Sequence, residues 1–338
     1  MVRNKLLIFA CVGFLFSCTS VKEEVSRIDN VKFTVLSDSM YTRMPGELYC
    51  TTDYIIWVDP FSASGLIHFL EAKTGKELMT WGDIGNGPRE FTAIKATLSY
   101  PPFLHVFDLN KNLQALLNLN TLSVENPDKS IEWKNDSLMG FTRRLQLSDK
   151  TFVSLSPGGA SPFVLNNNDT VDSVGKFPVS DRISNGFDVF QGNLLYNSER
   201  KCLVYSTILF PYTAMYRFDK GRLNLEWEKL DEIGYYVNKK SLVLDGKNKA
   251  GFHAIALTKN YIVGSCRDEE VEGSLPKGLS GRDLRLLPHS LFVYDYKFNL
   301  CKIINLKLPI LRLAGNVASD DLCAIVANPE FEIIKLSL

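Results

Sequence analysis

The chain carries no excess of charge: 38 Lys and Arg stand against 38 Asp and Glu. That balance removes the electrostatic basis for nucleic-acid binding, which needs a basic excess or stripe. None of the seven cysteines is in a CxxC spacing, so zinc-ribbon and thioredoxin patterns are absent. The four histidines, His68, His105, His253 and His289, are scattered and show no HExxH or HxH spacing. No GxSxG elbow occurs. No convincing amphipathic helix is present. These gaps leave no catalytic residue, no metal site and no cofactor to expect.

The glycine-rich stretch WGDIGNGPREF, Trp81 to Phe91, is the one segment with a phosphate-loop look. A P-loop requires a lysine and a hydroxyl residue after its last glycine, and here Pro88, Arg89 and Glu90 follow Gly87. A dinucleotide loop requires a strand before it and a helix after it within a βαβ unit, and here the stretch follows the outer-strand run ELMTW with nothing parallel around it. The stretch reads as a connection between two pieces of sheet, with Arg89 and Glu90 as candidates for touching a ligand.

What is present begins at the N-terminus. Arg3 and Lys5 precede an apolar run from Leu6 to Phe16, then Ser17 and Cys18. A charged start and a short apolar run form an export signal, too short for a membrane span of about 20 residues. The segment LFSC resembles the lipobox of bacterial lipoproteins, which implies cleavage before Cys18 and lipid on that residue. The expected layout is a signal peptide over 1–17, a lipidated flexible tether over 18–30 and a folded unit over 31–338. Lys22, Glu23 and Glu24 look like the charged tag of surface-exported Bacteroidota lipoproteins. The expected location is therefore the outer membrane, with the cell surface favoured over the periplasmic face.

Apolar residues make up 45% of the chain, enough for a large core. Aromatic-rich runs that end in Asp, turn, and return recur along the chain, around Asp59, Asp108, Asp219 and Asp295. Asp suits that exit because its carboxylate bonds to the backbone of the turn. Four-stranded units fit near 47–81, 96–126, 140–177, 190–229, 252–306 and 311–338, the last one strand short. The orphan run NVKFTVLS supplies the missing strand. The expectation is an all-β, six-bladed β-propeller whose ring is closed by an N-terminal strand joining the C-terminal blade.

The last third, with Ser280-Gly281-Arg282, Leu291 to Asp295 and Pro329-Glu330, resembles the TolB-like six-bladed propeller lipoproteins of Bacteroidota, as does the segment Gly85 to Phe91. The resemblance implies fold and location and little chemistry. An envelope nutrient-uptake complex is the setting it implies.

Outside the blades, the insertion Arg267 to His289 is longer than a propeller needs. Ser280, Arg282 and Asp283 within it are the surface-site candidates. Of the cysteines, Cys50, Cys202, Cys266, Cys301 and Cys323 remain after export, mostly in apolar runs where thiols pack as small hydrophobes. A disulfide, for instance Cys301 with Cys323, is compatible with an oxidising compartment.

The function these features imply is a monomeric binding module, held at the membrane by lipid, for an envelope protein or a small nutrient ligand. The competing class is a metal-dependent lactonase- or lyase-like enzyme, with the strand-end Asp residues ringing the central channel.

Overall fold

The computed structural model describes residues 25–134, 143–167, 170–179, 183–245, 249–274 and 283–338. Cys18, Ser280 and Arg282 lie outside them. The chain is a six-bladed β-propeller. Five four-stranded meanders occupy 48–83, 94–134, 143–174, 192–230 and 254–305. The sixth runs Ile310–Gly315, Asp321–Asn328 and Glu330–Ser337, and takes its outer strand, Thr34–Met40, from the other end of the chain. Thr34 pairs with Lys335 and Met40 with Phe331 in antiparallel register. The expected closure is thus observed.

One further strand lies inside the expected tether. Ser26–Ile28 runs parallel to Leu300–Asn305 as a fifth strand on the outer edge of the fifth blade. It covers an edge whose free N–H and C=O groups would otherwise offer a pairing template.

The middle strands read as solid apolar runs because each blade is sandwiched between two neighbours. Successive side chains point to opposite faces of a strand. In Tyr54–Val58, Ile55 and Trp57 enter the core shared with the sixth blade, and Ile56 and Val58 the core shared with the second. In Asp321–Asn328 the same split sends Cys323 and Ile325 one way and Ala324 and Val326 the other. The core is therefore a series of wedges between blades. Complete burial of a side chain such as Ile55 or Ile56 contributes about 2–3 kcal/mol each.

The meander fixes which loops share a face. The inner strand of each blade begins at the same face to which the turn between its second and third strands returns. That face carries 84–93, the described residues of the connections 175–191 and 231–253, and the two described ends of the 267–289 insertion. The opposite face holds mostly tight turns, such as 51–53, 149–150, 198–201 and 220–221. Every long described excursion except 119–130 lies on the first face.

Candidate functional site

The glycine stretch joins the outer strand of the first blade, Glu77–Asp83, to the inner strand of the second, Ile94–Tyr100. Phe91 N–H donates to Asp83 O at 2.8 Å and Gly85 N–H to Phe91 O at 2.9 Å, closing the segment into a compact loop. The Glu90 carboxylate folds into that loop and accepts the Gly87 N–H at 2.7 Å. A Cβ on Gly85 would lie 2.1 Å from Glu90 Oε2, so glycine is required by what fills the loop. Lys111 Nζ ties the loop down, donating to the Gly85 and Glu90 carbonyls at 2.8 and 3.0 Å. The Arg89 guanidinium lies 5.5 Å above the ring of Trp133, which packs with Trp81 and Phe91. Both candidate side chains thus hold the inter-blade connection.

The strand-end carboxylates do not converge. Asp59 and Asp108 lie at the ends of second strands and reach the insertion-bearing face; Asp219 and Asp295 lie at the ends of third strands and reach the opposite one. Asp59 accepts from the Thr42 hydroxyl and the Phe61 N–H. Asp108 accepts the N–H groups of Thr92, Ala93, Asn110 and Lys111. Burial alone would raise its carboxyl, but these donors hold it below the ordinary value. Asp295 accepts from Lys297 and Asn299. Among the described residues no three His, Cys, Asp or Glu side chains group as metal ligands. Asn166 and Asn167 end the third strand of the third blade and Thr170 to Asp172 begin its fourth, with Asn167 paired to Thr170.

The 267–289 insertion opens with the short helix Glu269–Glu272, capped by the Asp268 carboxylate on Glu270 N–H. Its two ends are stapled together: Arg267 donates to the Glu272 and Arg285 carbonyls, and Glu272 accepts from Asp268 and His289 N–H. Arg27, on the added edge strand, bridges Asp268 and Glu270. Asp283 caps the turn Leu284–Leu286, and its pairing with Arg285 brings its carboxyl down to about 2.

The mouth of the channel on this face is charged. Glu47 pairs with Lys95 at 2.7 Å across the first and second inner strands. Arg312 reaches from the sixth blade to the first, donating to Gly46 O at 2.7 Å. Burial pushes its guanidinium down; Glu47 opposes that and Arg143 adds to it. Burial and the neighbouring Arg312 favour uncharged His253.

One construction on this face was not expected from the sequence. Tyr235–Asn238 and Ser241–Leu244 form a separate hairpin between the fourth and fifth blades. Its turn residues Lys239 and Lys240 have φ of 47° and 65°, the left-handed pair that a two-residue turn between twisted strands demands. Non-glycine residues adopt that conformation at a cost of about 1–2 kcal/mol each. The second strand is anchored: Leu242 is buried between the third and fourth blades and exchanges two 2.9 Å hydrogen bonds with the Asn185 side chain. The first strand is left outward, with Tyr235, Tyr236, Val237 and Asn238 all exposed. Tyr236 keeps 59% of its surface, and Phe187, on the adjoining helix Gly186–Val189, keeps 51%. Two tyrosines and a valine are thus held outward on a hairpin whose other strand is anchored.

The opposite face offers a shallow open cleft of about 470 Å³ beside Tyr100, Asp149, Lys150 and Lys220, lined by strand ends and the turns between them.

Solved structures share this ring. A member of the DUF4221 family from Bacteroides vulgatus superposes with a TM-score of 0.58 at 11% identity, over 93% of this chain and 97% of that one. A protein of Bacteroides fragilis described as exported gives 0.57 at 9% identity, over 92% and 97%. The likeness is one of fold alone. No family model matches the sequence, and no curated protein does.

Proposed function

We propose that this propeller is a protein-binding module of the cell envelope, docking its partner on the insertion-bearing face. The observation that carries the reading is the hairpin 235–244, whose anchored second strand holds Tyr235 and Tyr236 in solvent. Aromatic side chains on a rigid support supply contact area with little ordering cost, and they dominate interface energetics. The charged mouth, where Lys95, Arg143 and Arg312 face Glu47, adds a positive field that steers an acidic partner.

The envelope location rests on the export signal, the lipobox-like LFSC and the propeller likeness to a Bacteroides protein described as exported. In this reading Cys18 carries lipid and the chain is a TolB-like lipoprotein of the outer membrane, displayed on the cell surface within a nutrient-uptake complex. More than one acyl chain is needed for stable anchoring, which a diacylated and N-acylated cysteine provides.

The test is affinity capture from gently cross-linked native membranes, comparing the natural chain with Tyr236→Ser. Loss of one envelope protein from the captured set, with an unchanged melting temperature, supports the module. An identical set from both chains refutes the hairpin as the docking surface.

A further inference from the structure

The sulfur atoms of Cys50 and Cys323 lie 3.2 Å apart. Cys50 ends the inner strand of the first blade, and Cys323 sits in the second strand of the sixth. Both are buried in the wedge where the first blade meets the last. A disulfide between Cys301 and Cys323 does not fit this arrangement. Cys301 is exposed on the outer strand of the fifth blade, and Cys323 faces Cys50. Cys202 and Cys266 belong to the fourth and fifth blades.

We propose that Cys50 and Cys323 are a disulfide pair that locks the seam of the ring. A disulfide requires sulfurs about 2.05 Å apart. The two thiols already face each other, so a shift of about 1 Å in side-chain position brings them to bonding distance. The backbone 41–47 crosses this seam, and the pairing of Thr34–Met40 with Glu330–Ser337, apolar contacts among Leu48, Ile55, Trp57 and Ile325 and the Arg312 bond to Gly46 hold it; no side-chain bond does so covalently. It is also the seam beside the blade that the two ends of the chain share, Thr34–Met40 from one end pairing with Glu330–Ser337 from the other.

The chemistry is exchange with an oxidant of the disulfide class, a small-molecule disulfide or an oxidised dithiol enzyme. One cysteine thiolate attacks that disulfide and displaces one of its sulfurs as thiolate. The second cysteine attacks the mixed disulfide and displaces the other. In sum, two protein thiols lose two protons and two electrons, and the oxidant's disulfide becomes two thiols. The pair is buried in the finished ring, and the neighbouring Cys50 together with burial raises the Cys323 thiol well above its ordinary value. Exchange therefore takes place before the last blade docks. The bond would close a loop spanning 273 positions, a large restriction of the unfolded chain.

The inference rests on the envelope reading, because a reducing compartment would keep both thiols free. The experiment separates the two. The full chain is refolded from urea with oxidised glutathione, alkylated under denaturing conditions, digested without reductant and mapped by mass spectrometry. The expected result is a peptide joining Cys50 to Cys323, with Cys202, Cys266 and Cys301 alkylated. Reductant should then lower the urea midpoint of the oxidised chain, and Cys50→Ser should abolish that shift. Alkylation of Cys50 and Cys323 in correctly refolded protein overturns the proposal. The same mapping on chain trapped in living cells tests location: a link formed in vitro but absent in cells leaves the pairing standing and refutes the envelope reading.

Discussion

Replacing Asp108 with alanine separates two roles for the strand-end carboxylates, organising turns or ligating a metal. Asp108 accepts N–H bonds from Asn110 and Lys111 in its own turn, at 2.7 and 3.0 Å. It also accepts from Thr92 and Ala93, which lead into the inner strand of the same blade. Four backbone donors lose their acceptor in the variant. A hydrogen bond to a charged group contributes about 1.5–3 kcal/mol, and water replaces much of that at a loop. The expected loss is about 3 kcal/mol for Asp108→Ala and about half that for Asp108→Asn, which keeps one acceptor oxygen. Asp295→Ala, whose acceptors serve only its own turn, should cost about 1 kcal/mol. Urea denaturation at pH 7, followed by tryptophan fluorescence with and without chelator, measures all three. Because the folded carboxyl of Asp108 lies below its ordinary value, its contribution is complete above the unfolded pKa and disappears as pH falls through the folded one. The difference between natural and variant chains should hold from pH 7 to about 4 and shrink below that. An Asp108→Ala chain as stable as the natural one, or a chelator that lowers the midpoint of the natural chain as much as the substitution does, would refute the turn role.

His105 is buried between Phe107 and Phe152 and meets Gln114 at 2.7 Å, and burial lowers it to about 4. Stability should therefore be full above about pH 6.5 and fall by about 3 kcal/mol as pH drops to about 4, a slope that His105→Leu removes. Gly87→Ala places a Cβ 2.8 Å from Glu90 Cδ and should cost about 1–2 kcal/mol. In a Glu90→Ala background the same change should cost almost nothing, and a double-mutant cycle on urea midpoints reads that coupling.

The blades were legible because both faces of each middle strand are buried. Solid apolar runs closed by Asp at the turn, as at Tyr54–Val58 with Asp59, therefore mark hairpins in the first, second, fourth and fifth blades without help from periodicity. The closing strand was legible by counting, since the sixth unit lacked a partner and Thr34–Met40 had none. The hairpin 235–244 escaped because its strands are only four residues long and its turn is Lys-Lys, with none of the Gly or Asn that normally signals such a turn. Its clue was GYYVN, two tyrosines and a valine beside a polar turn with no place in a blade. The pairing of Cys50 with Cys323 was hidden for a different reason. It joins strands of the first and last blades, and only closure of the ring brings them together. Arg89 and Glu90 stood out by their setting among glycines, which proves to reflect the Glu90 carboxylate filling the loop.

Photo-crosslinking in native membranes tests the docking face most directly. A photoreactive amino acid replaces Tyr236 in one chain and Lys150, on the opposite face, in another. The docking reading predicts one dominant protein adduct from position 236 and none from position 150. An adduct formed only from position 150 would place the partner on the opposite face and contradict it.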